Sequence, residues 1–139
     1  MPAVDVCQPN IIHAIQKDGW RVRVQNVHFY DDGYSIYIDL GAERPQPTGE
    51  NQRILIEIKC FAEKQSTSEL YLALGQVHYY RVFLDELEDD TPIYLAVPFE
   101  AYISKLNHIF ENALKQCRVG LIVIDIEDEE ITEWREPSI

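Results

Sequence analysis

The stretch RILIEIKCFAEK, residues 53–64, decides the fold, because isoleucines alternate in it with other residues, two of them charged. The isoleucines recur at every second position, which is typical of a β-strand with one buried face. The other face carries Glu57 and Lys59, whose side chains must project the same way, roughly 6 to 7 Å apart along the strand. A carboxylate and an ammonium side by side on so apolar a strand indicate either a functional site or a salt bridge.

Helical and strand patterns lie on both sides of this stretch. The predicted elements are a helix over 8–17, strands over 21–30, 34–42 and 53–61, a helix from the Ser66-Thr67-Ser68-Glu69 capping box to about Asp90, a strand over 93–97, a helix over 99–116, a strand over 120–125 and an edge strand over 131–134. Tyr34, Ile36, Ile38 and Leu40 are predicted to share one face of the second strand. Helical crossovers between the later strands require parallel pairing. The predicted class is therefore α/β, with a central mixed β-sheet flanked by helices in the order α-β-β-β-α-β.

The formal net charge of -12 argues against simple binding to nucleic acid, because proteins that grip phosphates usually carry an excess of Lys and Arg. Two acidic stretches, residues 85–90 and 126–130, are interpreted first as solvated turns. A nucleic-acid function would need a divalent metal, a basic partner or a local patch. The candidate cations for that patch are Arg21, Arg23, Arg44, Arg53, Lys59, Lys64 and Arg81.

The three cysteines are widely spaced and form no C-x-x-C pair, so neither a disulfide framework nor a zinc site is indicated. Cys60 lies on the isoleucine face and is predicted to be a buried, inert thiol. This usage indicates a reduced, cytoplasmic setting. The longest apolar run, residues 119–124, is far too short to cross a membrane.

The residues that could carry chemistry are Asp39, Glu57, Lys59 and Gln76. Asp39 precedes Glu57 by 18 residues on the neighbouring strand, so two carboxylates and a lysine are expected to converge. Two close carboxylates repel each other and invite a hard divalent ion such as Mg²⁺, which suits phosphodiester hydrolysis. The alternative is a salt bridge on a solvent-facing sheet surface. Gln76 is predicted to face inward, as a phosphate or water ligand or as a core glutamine. The four histidines lack ligand spacing.

Five runs in this order carry a resemblance to a known family: KDGW at 17–20, YIDLGAE at 37–43, IEIKCF at 56–61, SELYLALGQ at 68–76 and YLAVP at 94–98. From about Met1 to Trp134 the chain resembles the XisH family of fdxN-element excision controlling factors from cyanobacteria. The element order and Asp39 with Glu57-Ile58-Lys59 also resemble the PD-(D/E)xK, restriction-endonuclease-like fold.

The resemblance implies one restriction-endonuclease-like domain over residues 1–139, with Asp39 and Glu57 as ligands of Mg²⁺ or Mn²⁺. It further implies Lys59 as the catalytic lysine and Gln76 as the helix glutamine of a deoxyribonuclease site. The implied partners are DNA, a XisI-like protein and a site-specific recombinase system, with a homodimer possible. The sequence departs from the pattern at Pro9 and supplies no clear acidic residue from the first helix. A non-catalytic accessory factor, or an interaction module with a D-E-K salt bridge, is the alternative.

Overall fold

The computed structural model describes residues 6–62 and 67–138. Its elements are α1 (Gln8–Lys17), β1 (Arg21–Asp31), β2 (Tyr34–Pro45), β3 (Asn51–Ile58), α2 (Thr67–Glu86), β4 (Ile93–Pro98), α3 (Phe99–Lys105), α4 (His108–Gln116), β5 (Gly120–Asp125) and β6 (Glu130–Arg135). Among these described residues, no helix is long and apolar enough to cross a membrane.

The six strands form one mixed sheet, and their order across it is their order along the chain, β1 to β6. β1, β2 and β3 pair antiparallel, β3, β4 and β5 pair parallel, and β6 returns antiparallel along β5. The helical crossovers explain the parallel pairs, since a tight turn cannot join parallel strands. The predicted mixed sheet flanked by helices is confirmed, and the chain begins in the order α-β-β-β-α-β.

The two faces of the sheet are covered by different helices. The isoleucine face of β3 packs in one buried cluster with Ile11 and Ile15 of α1. Leu55, on the other face of β3, belongs to a second cluster that contains residues of α2, α3 and α4. Because both faces are covered, the central strands are apolar on both sides, as buried parallel strands usually are. The side chain of Glu57 therefore lies under a helical layer rather than in solvent.

The prediction that Tyr34, Ile36, Ile38 and Leu40 share one buried face of β2 is wrong. Tyr34 is exposed, and Ile36 and Ile38 pack in the cluster of α2, whereas Leu40 packs in the cluster of α1. The cause lies in the pairing of β2, whose ladder with β3 ends at the pair Leu40 and Ile56. Beyond that pair, β1 and β2 continue as a two-stranded ribbon, which twists more strongly than a sheet does.

The helix predicted over 99–116 is two helices, and the prediction of a single one is wrong. Leu106 is extended, with φ -87° and ψ 134°, and ends α3. Asn107 then caps α4, because its side-chain oxygen accepts a hydrogen bond from the backbone N–H of Phe110 at 2.9 Å. Asparagine is among the preferred N-cap residues, so Asn107 was a local signal for the start of a new helix. The apolar residues at helical spacing, which continue across the break, favoured a single helix instead. The capping box predicted for α2 includes Ser66, which lies outside the described residues.

The prediction of unpaired cysteines is wrong for Cys7 and Cys60, which form a disulfide with Cα atoms 5.8 Å apart. The bond joins the start of α1 to the chain just beyond β3, across 53 residues. The backbone N–H of Cys7 also lies 3.1 Å from the Cys60 sulfur. Sequence spacing could not reveal this pair, because only the packing of α1 on the sheet brings the two residues together. Cys117 is a free thiol.

Candidate functional site

Asp39 and Glu57 lie at the fork where β2 separates from β3. The backbone ladder ends at Leu40 and Ile56, and side chains replace the next backbone hydrogen bonds. Glu57 Oε1 accepts a hydrogen bond from the backbone N–H of Asp39 at 3.2 Å. Reciprocally, Asp39 Oδ2 accepts one from the backbone N–H of Ile58 at 2.8 Å. Each carboxylate is thus bonded to the strand that carries the other, and the two acidic side chains are held together as the sequence predicted.

The Glu57 carboxyl is nearly inaccessible, with 5% of the residue exposed. Burial, and secondly the charge of Asp39, raise the pKa of Glu57 from its ordinary 4.5 to about 8, while Lys59 lowers it in part. Near neutral pH the protein alone therefore holds a proton at this carboxyl. A bound cation would favour the ionised form instead, because it offsets the repulsion from Asp39.

Lys59 follows directly after β3, and its backbone N–H donates to the carbonyl oxygen of Ala96 at 3.0 Å. Its Nζ lies 3.9 Å from Glu57 Oε2, and 27% of its side chain is exposed. That separation is within the range of an ion pair but longer than a hydrogen bond, so the salt bridge of the alternative interpretation is present, although Glu57 is buried rather than solvent-facing. The ammonium is within reach of the carboxylates while keeping a solvent-accessible side.

Tyr80 of helix α2 lies close enough to the fork to feel the charges of Glu57 and Asp39, and Gln76 lies one turn before it on the same side of the helix. Gln76 Oε1 is buried and has no hydrogen-bond partner within the described part of the chain. The pKa of the Tyr80 phenol is raised, first by burial and then by the charges of Glu57 and Asp39. Tyr80 stays protonated and can donate a hydrogen bond at this site. Sequence reasoning placed Tyr80 only in an apolar stripe, although its position at i+4 from Gln76 was a signal.

The donor set fits a hard divalent cation in part. Asp39 and Glu57 supply two carboxylates at the fork, and α2 carries the buried amide oxygen of Gln76, which lacks a described partner, one turn from Tyr80. Mg²⁺ is commonly bound through one or two carboxylates and keeps several waters, so a small oxygen set is sufficient. Over residues 6–62 and 67–138, no three His, Cys, Asp or Glu side chains are grouped as metal ligands. Within the described residues, the fork therefore offers a pair of carboxylates without a third such side chain grouped beside them.

Two of the histidines, His13 and His28, lie away from the fork. His13 Nδ1 lies 3.0 Å from Glu129 Oε2, on the side of the molecule occupied by α1. His28 Nε2 lies 2.9 Å from Ser35 Oγ on the β1–β2 ribbon, where its ring stacks on Tyr37. Neither side chain belongs to the fork.

The family model and the solved structures that match this chain agree on one family, over nearly the whole chain. Residues 1–132 match the family model described as XisH protein. A solved XisH family protein from Nostoc punctiforme PCC 73102 is 30% identical, with a TM-score of 0.79, covering 95% of this chain and 100% of that one. A solved fdxN element excision controlling factor protein from Anabaena variabilis is 33% identical, with a TM-score of 0.80, covering 96% and 100%. None of the curated proteins matches this chain.

Proposed function

Because this chain belongs to the XisH family, we propose that it controls excision of a DNA element as a Mg²⁺-dependent, nuclease-like protein that hydrolyses phosphodiester bonds. The proposal interprets Asp39 and Glu57-Ile58-Lys59 as a PD-(D/E)xK site on a restriction-endonuclease-like fold. The observation that carries it is the fork itself. Two carboxylates are held across diverging strands, one of them buried with its pKa raised to about 8, beside a lysine ammonium 3.9 Å away.

In this proposal Asp39 and Glu57 would hold the ion, and Gln76 would turn its unpartnered amide oxygen towards it. When bound, Mg²⁺ or Mn²⁺ supplies a Lewis acid for a phosphoryl oxygen and lowers the pKa of a coordinated water. Ionised Glu57 and Asp39 hold the cation in a buried setting, where electrostatic interactions are stronger than in bulk water. Their backbone hydrogen bonds fix both carboxylates before any ligand arrives, which lowers the reorganisation needed for catalysis.

Lys59 and Tyr80 complete the proposed chemistry. The Lys59 ammonium, near Glu57 and partly exposed, orients an attacking water or stabilises negative charge that develops on the phosphate. The Tyr80 phenol keeps its proton and donates a hydrogen bond to an oxygen in the fork. The two groups come from different elements, since Lys59 follows the end of β3 and Tyr80 lies on α2.

A second candidate function is a non-catalytic accessory factor that binds a partner protein or recombinase through an inactive endonuclease fold. The net charge of -12 favours a basic partner over bare DNA. The outer face of α2 also exposes apolar side chains, with Tyr71 70%, Leu72 63% and Tyr79 55% exposed. Exposed apolar side chains grouped on one surface are typical of protein contacts. A XisI-like protein is the proposed partner for this function.

The deciding experiment incubates supercoiled and linear DNA with the protein, with Mg²⁺ or Mn²⁺ and with chelator, in two series without and with the XisI-like protein. Metal-dependent cutting is expected for the wild type and should be lost in Lys59→Ala. Lys17→Ala is the matched control, because Lys17 is an exposed lysine at the end of α1. Calorimetric titration of Mg²⁺ into Glu57→Gln should show weakened binding. If neither series cuts DNA and the wild type binds no Mg²⁺, the accessory function replaces the nuclease.

A further inference from the structure

We propose that the protein has a nucleotide-binding subsite, separate from the Asp39–Glu57 fork, where Arg23 and Arg53 bind a phosphate of single-stranded DNA and an apolar floor receives its base. The subsite is a cavity of about 600 Å³ on the β1–β3 part of the sheet. That volume is in the range of small-molecule and cofactor sites. The inference rests on the proposed function, because it describes how DNA is held beside the fork.

The cationic rim is built around one carboxylate. Arg23 Nε lies 3.2 Å from Glu43 Oε1, and Arg53 Nε lies 3.7 Å from Glu43 Oε2. The Glu43 side chain is 14% exposed, whereas those of Arg23 and Arg53 remain 59% and 77% exposed. Glu43 thus orients two guanidinium groups whose outer edges face solvent. Planar guanidinium groups suit phosphate, because they can donate two parallel hydrogen bonds.

A bulge in β1 places the first of these arginines. The pairing of β1 with β2 shifts register between Val22 and Val24, so that Arg23 is the extra residue. Asn26, further along β1, has a left-handed φ of 55°. Bulges re-aim side chains and occur often beside functional sites. Arg21, just before the bulge, is the cross-strand backbone partner of Glu43.

The floor below these arginines is apolar, with Val27, Phe29 and Leu55 among its lining residues. Gly41 opens the floor, since a Cβ there would lie 3.2 Å from Val27 Cγ2. Phe29 gives this floor an aromatic ring on which a base can stack without sequence preference, beside the aliphatic Val27 and Leu55. Asp89 lines the opposite wall, where its Oδ1 accepts hydrogen bonds from the backbone N–H and the hydroxyl of Thr91.

Position links the cavity to the fork. Asp39, Gly41 and Glu43 alternate along β2 and project to the same side of the strand. Gly41 is therefore about 7 Å from Asp39 along the strand and Glu43 about 13 Å. A single strand that crosses Gly41 would bring its next phosphates towards the carboxylates. Of the seven cations considered from the sequence, Arg81 is buried and bonded to backbone carbonyl oxygens, so it contributes nothing to this rim.

The test measures the binding of a fluorescein-labelled 20-nucleotide single strand and the matching duplex by anisotropy, across a range of salt, in a Lys59→Ala background that prevents cutting. The slope of log affinity against log salt is negative, and it should become shallower by about 1 in Arg23→Gln and in Arg53→Gln. Glu43→Gln should bind more tightly, because it removes the carboxylate between them. Arg118→Gln, an exposed arginine paired with Asp85 elsewhere, should match the parent.

A separate substitution tests the apolar floor of the cavity. Gly41→Ala should weaken single-strand binding with an unchanged salt slope, because it fills apolar space without altering charge. Unchanged slopes in both arginine variants, preference for duplex, or no binding to either probe would overturn the subsite. If the wild type cuts DNA but the arginine variants keep the salt slope of the parent, the subsite is rejected and the nuclease is retained. Altered slopes without cutting under any condition would keep the subsite and reject the nuclease.

Discussion

The buried Glu57 carboxyl predicts an unusual dependence of stability on pH. Its pKa is about 8 in the folded protein against an ordinary 4.5, so between these values the folded state keeps a proton that the unfolded state has released. The unfolding free energy must then fall as pH rises, by up to about 1.4 kcal/mol per pH unit from this one group. From pH 5.5 to 8 the expected loss is about 3 kcal/mol. Glu57→Gln removes the titration, so the variant should gain stability over the wild type across that range.

The assay is urea unfolding at several pH values, followed by fluorescence of Trp20, which is buried and stacked on Trp134. The quantity of interest is the unfolding free energy of Glu57→Gln minus that of the wild type, because titrating groups that do not interact with Glu57 cancel in the difference. Glu127→Gln, in the exposed acidic turn, is the matched control and should show a constant difference. A constant difference for Glu57→Gln as well would refute the account of a carboxyl held protonated by burial and by Asp39.

Three further substitutions test the framework around the site. Arg81→Ala removes a buried side chain that donates to the backbone carbonyl oxygens of Asp89 and Thr91, so two acceptors lose their donor and urea unfolding should show a loss of about 2 to 4 kcal/mol; exposed Arg118→Ala should lose less than about 1 kcal/mol, and equal losses would contradict this account. Cys60→Ser opens a disulfide that spans 53 residues, so without reductant it should cost about 4 kcal/mol; a wild-type stability insensitive to reductant would argue against the bond. Gly120→Ala puts a Cβ 2.5 Å from the Tyr94 ring and 2.6 Å from the backbone oxygen of Arg135, so the protein should lose about 1 to 3 kcal/mol of stability and its thermal midpoint should drop; an unchanged midpoint would contradict the close packing of β5 between Tyr94 and β6.

The fold was predictable where the chain repeats with a simple period. The two-residue period of β3 identified its buried isoleucine face, and an antiparallel β2 then brought Asp39 opposite Glu57. The burial of Glu57 was not predictable in the same way, because it depends on α2 covering the other face of the sheet. The disulfide and the change of face within β2 likewise arise from tertiary packing. Local patterns report which side of an element is apolar, but not what covers its polar side.

The rim of arginines illustrates the same limit on a smaller scale. The sequence offered seven cations without a rule for grouping them. A bulge in β1 and the register of β3 bring Arg23 and Arg53 to one carboxylate, while Arg81 is taken into the interior. The bulge adds one residue to β1, and this extra residue is Arg23. Nothing in the composition of the strand indicates a bulge, so the grouping of the arginines could not be predicted from the sequence.

The order of strands in the sheet bears on how the chain folds as it is synthesised. Every strand from β2 onward pairs with the one made just before it, so no strand must wait for a distant partner. Pairings that are near in sequence form quickly, and translation delivers them one after another. If folding followed synthesis, the hairpin and β3 would pair before α2 covered them. Asp39 and Glu57 would then meet in water, and α2 would close over a pair of acids already in register.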